Sequence, residues 1–208
     1  MRKVFVVLVA LLSCYVMLAQ GEYIDHQVSQ IYMTSGNDKL RNHDYQGAAS
    51  DFAYAVKLDP GLAEGYINLG IARSILQDFT IAIEAYNKGI AINPNIAAGY
   101  YNRGSAWFAL QEYEKAMKDY NKAIKLNPYY KEAYNNRGNL KLVSKDYSGA
   151  IDDFSKVIEI SPDDATAFYN RAVAHMQLQQ TEDACKDLQK AAALGDKQAA
   201  SASDKYCK

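Results

Sequence analysis

Apolar and small side chains recur along this chain in a pattern that repeats at a fixed interval, the one that separates Gly70, Gly104 and Gly138. The clearest copy is Ala97–Tyr130, where apolar residues spaced three and four apart fall into two stretches, each long enough for a short helix. That spacing places them on one face of each helix. A fixed period of about 34 residues, built from two helices and a turn, predicts an all-α solenoid of helical hairpins.

Four positions define the repeat. The first helix carries an aromatic residue and a glycine four residues later, and the second carries an alanine and a large apolar or aromatic residue four residues later. Helices approach closely only where side chains are small, so we expect the glycine and the alanine to mark the helix crossing. In the template these residues are Gly104 and Ala116, with Tyr120 beside them and Pro128 beyond the second helix.

The period divides most of the chain into five repeats. They are Ser29–Leu62, Ala63–Ile96, Ala97–Tyr130, Lys131–Asp164 and a degenerate fifth, Ala165–Gln198. The fifth repeat has Ala172, Leu188 and Asp196 in place of the glycine, the aromatic residue and the proline. Terminal repeats are often atypical because one of their sides faces solvent. We expect a capping helix over 197–208 to cover that side.

This order of aromatic residue, glycine, alanine, aromatic residue and proline resembles the tetratricopeptide repeat. The resemblance covers Ser29–Gln198, roughly four-fifths of the chain. It implies a right-handed superhelix in which the first helices of the hairpins line a concave groove. It also implies a protein that binds other proteins rather than one that catalyses a reaction.

The start of the chain is typical of an export signal. Arg2 and Lys3 precede the apolar run Val4–Leu12, and polar residues begin after Ala19. A positive start, an apolar middle and a small residue before the polar part are the marks of a signal peptide. We therefore expect a signal peptide over 1–19, cleaved near Ala19 and Gln20, followed by a lead-in over 20–28.

Two other interpretations of the leader stay open. Leu11-Leu12-Ser13-Cys14 resembles a bacterial lipobox, in which Cys14 would carry a lipid. The leader could also stay in place as a membrane anchor. We expect an exported protein that is periplasmic or secreted, and a lipid anchor in the cell envelope is the alternative.

Charge and residue types argue against several other functions. The formal net charge is −1, so no basic excess is present to bind nucleic-acid phosphates. The sequence has no CxxC pair, no nucleophile with a matching base and no phosphate-binding glycine loop. The histidines share no repeat position; they are His26, His43 and His175. We expect no metal, no cofactor and no enzymatic activity.

Two cysteines remain once the leader is removed, Cys185 in the last paired helix and Cys207 at the end of the cap. An even number of cysteines in an exported chain indicates a disulfide. Such a bond would hold the terminal helix to the last repeat. The alternative is two unrelated thiols.

A column of asparagines is the clearest functional signal. Asn68, Asn102, Asn136 and Asn170 are each separated by one repeat period, and each lies two residues after the aromatic position. The family resemblance places this position in the concave groove. A carboxamide both donates and accepts, so it can bond the backbone of an extended peptide. The alternative is that asparagine is common here for structural reasons and has water as its partner.

Other groove positions flank this column. Three of them precede an asparagine directly and one follows three residues later: Tyr101, Asn135, Tyr169 and Asn139. Ile67 and Met33 occupy the preceding position in the first two repeats. We assign Arg103, Arg137 and Arg171 first to bonds between repeats and only then to a ligand.

Chaperone-binding members of the family hold a C-terminal carboxylate with cations and asparagines. Asn37 and Asn68 match its asparagines, but Met33, Ala98 and Asn102 stand where its cations should be. We therefore expect no carboxylate clamp. The sequence predicts a protein-interaction module that binds an extended peptide or a partner protein in its groove. The alternative is a scaffold or assembly subunit of an envelope complex, one that could self-associate without a peptide ligand.

Overall fold

The computed structural model describes residues 24–207, and within that range the chain is all α-helical with no β-strand. The first helix, α1, covers residues 24–41. The others are α2 (Tyr45–Leu58), α3 (Ala63–Ile75), α4 (Phe79–Ile92), α5 (Ala97–Ala109), α6 (Tyr113–Leu126), α7 (Lys131–Val143), α8 (Tyr147–Ile160), α9 (Ala165–Gln177), α10 (Thr181–Ala193) and α11 (Lys197–Tyr206). The predicted all-α fold of consecutive helical hairpins is confirmed.

The helices group into two units that divide after Pro94. The first unit contains α1–α4, in which α2 packs on α3 and α3 on α4. The second contains α5–α11, in which each helix packs on the next along the chain. Within the second unit α5 also contacts α7, and α7 contacts α9, so the first helices of its three hairpins lie side by side.

Each glycine at the repeat position packs directly against an aromatic ring of the second helix of its own hairpin. A Cβ added to Gly104 would lie 2.9 Å from Cε1 of Tyr120, and one added to Gly36 would lie 2.7 Å from Cε1 of Phe52. Both rings are fully buried. Glycine costs roughly 1 kcal/mol in a helix relative to alanine, so its recurrence here reflects a steric need. The fifth hairpin meets that need differently, with Ala172 opposite the smaller Leu188.

The turn inside each hairpin uses a left-handed residue that is never glycine. His43, Gln77, Gln111, Lys145 and Gln179 all have φ between 60° and 64°. In the third hairpin Gln111 N–H donates to Phe108 O and Glu112 N–H to Trp107 O, each at 2.9 Å. These two bonds form the Schellman arrangement that satisfies the last carbonyls of a helix. The turn therefore ends the first helix at a fixed register in each repeat.

Buried arginine–aspartate pairs join the two helices of each hairpin in the second unit. Arg137 donates from Nε to Asp153 Oδ2 at 2.9 Å and from Nη2 to Oδ1 at 2.6 Å. Arg171 binds Asp187 in the same way, with both distances 2.7 Å. These two-pronged contacts lie within a hairpin and were not predicted from the sequence, which assigned the arginines to bonds between repeats ahead of a ligand.

Bonds to the preceding hairpin exist as well, but they use the remaining guanidinium nitrogen. Arg137 Nη1 donates to Asn121 Oδ1 at 2.6 Å, and Arg171 Nη1 donates to Ser155 Oγ at 3.0 Å. Each of these two arginines thus links its own helix to two others. The aspartates that receive the main contacts were not predicted from the sequence, although they too recur at the repeat period, as Asp119, Asp153 and Asp187.

The last helix, α11, begins after Gly195, whose φ of 98° suits glycine. The carboxylate of Asp196 accepts from the backbone N–H groups of Gln198 and Ala199, which caps the helix. The buried Ala199 packs with the residues of α9 and α10. Cys185 and Cys207 come together with their Cα atoms 5.5 Å apart, a separation that a disulfide can bridge. The bond itself stays a prediction.

The predicted signal peptide and Cys14 lie outside the described residues. None of the helices in residues 24–207 has the length and apolar character needed to cross a membrane.

Candidate functional site

Three of the four predicted asparagines lie at the same register on adjacent helices. Asn102, Asn136 and Asn170 occupy the sixth residue of α5, α7 and α9 in the second unit. We call these three side chains the amide face. Asn68 has the same register on α3 of the first unit. All four side chains are half-buried, so each is both packed and accessible.

The asparagines connect consecutive first helices. Asn136 Nδ2 donates to Ser105 Oγ at 3.3 Å, and Asn170 Nδ2 donates to Asn139 Oδ1 at 3.3 Å. In the first unit Asn68 Nδ2 donates to Asn37 Oδ1 at 3.2 Å. Each bond spans 31 residues of sequence. In each of these cases the polar residue three positions after the asparagine column accepts a hydrogen bond from the asparagine of the following repeat.

Asn102 uses a different acceptor. Its Nδ2 donates to Ala98 O at 2.9 Å, one turn earlier on its own helix. A local backbone carbonyl therefore satisfies the amide N–H of this asparagine.

These bonds determine which atoms of the amide face are available to a ligand. In every case the amide nitrogen is the donor to the protein, and within residues 24–207 no donor is found on the Oδ1 atoms of the amide face. Each amide nitrogen has a partner within the protein, so these bonds are themselves a structural reason for asparagine at this position. The amide face presents carbonyl oxygens whose direction is already set.

A tyrosine cluster lies beside Asn136. The Tyr101 ring is 4.9 Å from that of Tyr130 and 6.3 Å from that of Tyr120, measured between centroids. Asn136 Nδ2 also donates to the Tyr101 hydroxyl at 3.3 Å, and the Tyr120 hydroxyl donates to Ser105 Oγ at 3.4 Å. These contacts hold Tyr101 between α5 and α7.

Burial keeps these phenols neutral. It raises the pKa of Tyr120 to about 12, and it is also the main cause that raises the pKa of Tyr130 to about 12. The pKa of Tyr101 is raised by burial first and by the negative charge of Glu132 second. A neutral phenol can both donate and accept, so Tyr101 keeps that capacity at ordinary pH.

An open cleft of about 370 Å³ adjoins this cluster. Its lining includes Tyr101 from α5 and four residues of α7, namely Lys131, Glu132, Asn135 and Asn136. Its other walls come from Val157, Asp164 and Thr166. The predicted groove residues Tyr101, Asn135 and Asn136 are thus brought together at one place. We call it the α7 cleft.

The other flanking residues have different surroundings. Tyr169 is half-buried against the cluster that contains Phe168 and Leu188. Asn139 is the acceptor for Asn170. Ile67 and Met33 are only 4% and 8% exposed, so the structure places them in the core of the first unit rather than in a groove. Their apolar character was the signal that could have shown this.

A metal site finds no support in the arrangement of potential ligands. Within residues 24–207 no group of three or more histidine, cysteine or acidic side chains has an arrangement that could hold a metal ion.

Models of the tetratricopeptide repeat match most of the chain. They cover residues 33–95, 97–130 and 166–194, and a TPR repeat model matches residues 144–179. This chain belongs to the tetratricopeptide-repeat family. The predicted resemblance is confirmed, and the amide face therefore lies on the first helices of three tetratricopeptide hairpins.

Solved structures of tetratricopeptide proteins resemble this chain. A crystal structure of MamA protein is 28% identical, with a TM-score of 0.73 over 83% of this chain and 94% of that one. The first TPR of Spaghetti (RPAP3), bound to HSP90 peptide SRMEEVD, is also 28% identical, with a TM-score of 0.56 over 57% of this chain and 94% of that one. YrrB, described as a TPR protein with an unusual peptide-binding site, shares the fold at 23% identity, with a TM-score of 0.70 over 84% and 90% of the two chains. Comparison with curated protein sequences gives no match.

The family and these structures support a protein-interaction module.

Proposed function

We propose that this tetratricopeptide protein binds an extended segment of a partner protein across the amide face. The observation that carries the proposal is the set of three Oδ1 atoms at one register on α5, α7 and α9, each held by a bond from its own amide nitrogen. A backbone N–H of the ligand would donate to each oxygen. Because these acceptors are oriented before binding, less entropy is lost when the ligand arrives.

The spacing of the helices suits an extended ligand. Packed helices lie about 8–10 Å apart, and an extended chain advances about 3.3 Å per residue. A peptide crossing α5, α7 and α9 would therefore meet one amide about every third residue. Contacts made to the backbone are independent of the ligand's side chains, so the amide face supplies affinity and other residues supply selectivity.

The proposed ligand is an internal segment rather than a chain terminus. The RPAP3 domain holds the HSP90 peptide SRMEEVD. In this chain Met33, Ala98 and Asn102 stand where a carboxylate clamp would need cations. A free carboxylate would gain no ion pair from these positions. An internal segment needs none, because its amides bond to the acceptors described above.

Photo-crosslinking tests the proposal directly. The purified chain would be incubated with a degenerate library of decapeptides carrying a central benzophenone, and the crosslinked residues would be mapped by mass spectrometry. We expect crosslinks on α5, α7 and α9. Crosslinks confined to α6, α8 and α10, or none above those of an unrelated helical protein, would contradict the proposal. Light scattering on the same sample tests the alternative, because a concentration-dependent oligomer without peptide capture favours a self-assembling scaffold.

We also propose that the protein acts outside the cytoplasm. The support is the leader over 1–19, with Arg2 and Lys3 ahead of an apolar run. Intact-mass analysis of the protein from its native host would show cleavage next to Ala19. A mature chain that begins at a lipid-bearing Cys14 would support the lipoprotein alternative, and a chain that retains Met1 would contradict cleavage.

A further inference from the structure

We propose that the α7 cleft accepts a lysine or arginine side chain of the bound segment. This inference rests on the proposed function and adds a chemical preference to it. The amide face recognises the backbone of the ligand, whereas the α7 cleft would recognise one of its side chains. The cleft lies directly beside Asn136, so a peptide bound to that amide passes over it.

The polar groups that line the cleft include several acceptors. Asn136 uses its amide nitrogen for Tyr101 and Ser105, so its Oδ1 is the atom left for a ligand. The Tyr101 oxygen already accepts one bond and keeps a further lone pair. Asn135 and Thr166 add an amide oxygen and a hydroxyl to the lining. An ammonium or guanidinium group is a donor with no acceptor capacity and therefore suits this lining.

The charge of the cleft has the sign that a cation needs. Glu132 is exposed, and no ion pair links it to a cation among the described residues. Its negative charge reaches the cleft wall, since it contributes to the raised pKa values of both Tyr101 and Tyr130. Lys131 Nζ lies 3.5 Å from Asp164 Oδ2, so that cation already has an acidic partner. The three charged residues together leave one net negative charge at the cleft.

The cleft also has room and apolar surface for a long aliphatic side chain. Its volume is about 370 Å³, and the ring of the partly buried Tyr101 forms part of its wall. Lysine and arginine bury their methylene groups along apolar surface and keep the charged end near polar groups. An acidic side chain needs donors rather than acceptors, and the negative charge of Glu132 would repel it.

A peptide-binding assay with matched charge variants tests this inference. The probes are degenerate fluorescein-labelled decapeptides with one fixed central residue, which is lysine, arginine, glutamine, methionine or glutamate. Binding to the purified chain is measured by fluorescence anisotropy at two salt concentrations. We expect lysine and arginine libraries to bind about fivefold more tightly than the glutamine library, and that preference to fall as salt is raised.

The variant Glu132→Gln should lower the ratio of lysine-library to glutamine-library affinity to about one. Glu114→Gln is the matched control, because Glu114 is also an exposed acid in the first turn of a helix, α6, and does not line the cleft. It should keep the full preference for cations. Both variants lose the same favourable interaction with a helix N-terminus, so a difference between them reports the cleft.

The outcomes separate the two proposals. If all libraries bind equally and Glu132→Gln changes none of them, the inference about the cleft is overturned while the peptide-binding function stands. If no library binds, both are overturned. If glutamate peptides bind best, the cleft has the opposite preference and the inference is wrong.

Discussion

Arg103 and Asp119 form a two-pronged ion pair inside the third hairpin, with Nε to Oδ2 at 2.8 Å and Nη2 to Oδ1 at 2.7 Å. Asp119 is only 6% exposed. These bonds contribute to the raised pKa of the Arg103 guanidinium, and burial opposes that shift. The second hairpin has Leu69 and Ala85 at the corresponding positions, so the same fold tolerates an apolar pair there.

Removing one member of this pair should cost more than removing both. Asp119→Ala leaves a partly buried guanidinium without its main partner, and we expect a loss of about 3 kcal/mol in the free energy of unfolding. Arg103→Leu combined with Asp119→Ala reproduces the pair of the second hairpin and should recover most of that loss. Urea unfolding measures the unsubstituted protein, each single variant and the double variant. A double variant as unstable as the sum of the single variants would contradict this account.

The packing of an aromatic ring on a glycine can be tested by substituting the residue pair that the fifth hairpin has at these positions. Gly104→Ala should destabilise the protein by about 1–2 kcal/mol, because its Cβ would press on the Tyr120 ring even though alanine favours helix. Adding Tyr120→Leu copies the fifth hairpin, which has Ala172 and Leu188. We expect thermal unfolding to show partial rescue in the double variant. No rescue would mean that ring contact is not the cause.

The disulfide is tested by mass and by stability. We expect protein from an oxidising compartment to lack free thiols, and reduction to release two. The bond would close a loop with a sequence separation of 22 residues. Its loss in a Cys185→Ser, Cys207→Ser variant should cost about 3 kcal/mol, because the unfolded chain is no longer restrained. Two free thiols in the exported protein would rule the bond out.

Alkaline pH should unfold the protein through its buried tyrosines. Burial raises the pKa values of Tyr86, Tyr120 and Tyr130 to about 12, against about 10 in an unfolded chain. A raised folded pKa gives stability that is present below pH 10 and lost as pH rises toward 12. Tyrosinate absorbance should therefore show a late-titrating class whose ionisation accompanies unfolding, seen by circular dichroism. Complete titration near pH 10 in a folded protein would contradict this prediction.

The fold could be predicted from the sequence because side chains of the same size recur at the same positions of each repeat. Gly104, Ala116 and Tyr120 have counterparts of similar size in the neighbouring repeats, and steric fit leaves few other arrangements. The hairpin turns were less visible, since the left-handed residue is Gln111 or Lys145 rather than glycine. The local hydrogen bonds of the turn impose that conformation, and side-chain propensity does not reveal it.

The site was predictable in position but not in detail. The register of Asn102, Asn136 and Asn170 followed from the period, whereas their acceptors did not. Those acceptors depend on which side chain of the preceding hairpin reaches the amide, such as Ser105 for Asn136. The α7 cleft is formed by residues from several helices and a loop, and no single stretch of sequence contains it.

The amide face is tested most directly by replacing Asn102, Asn136 and Asn170 together with alanine and measuring capture of the degenerate decapeptide library. Asp119→Ala serves as a control of reduced stability with the amide face intact, and circular dichroism verifies that both proteins are folded at the assay temperature. We predict that the triple variant loses at least about tenfold in affinity, since three hydrogen-bond acceptors are removed, while Asp119→Ala captures peptides normally. Unchanged capture by a folded triple variant would contradict the account.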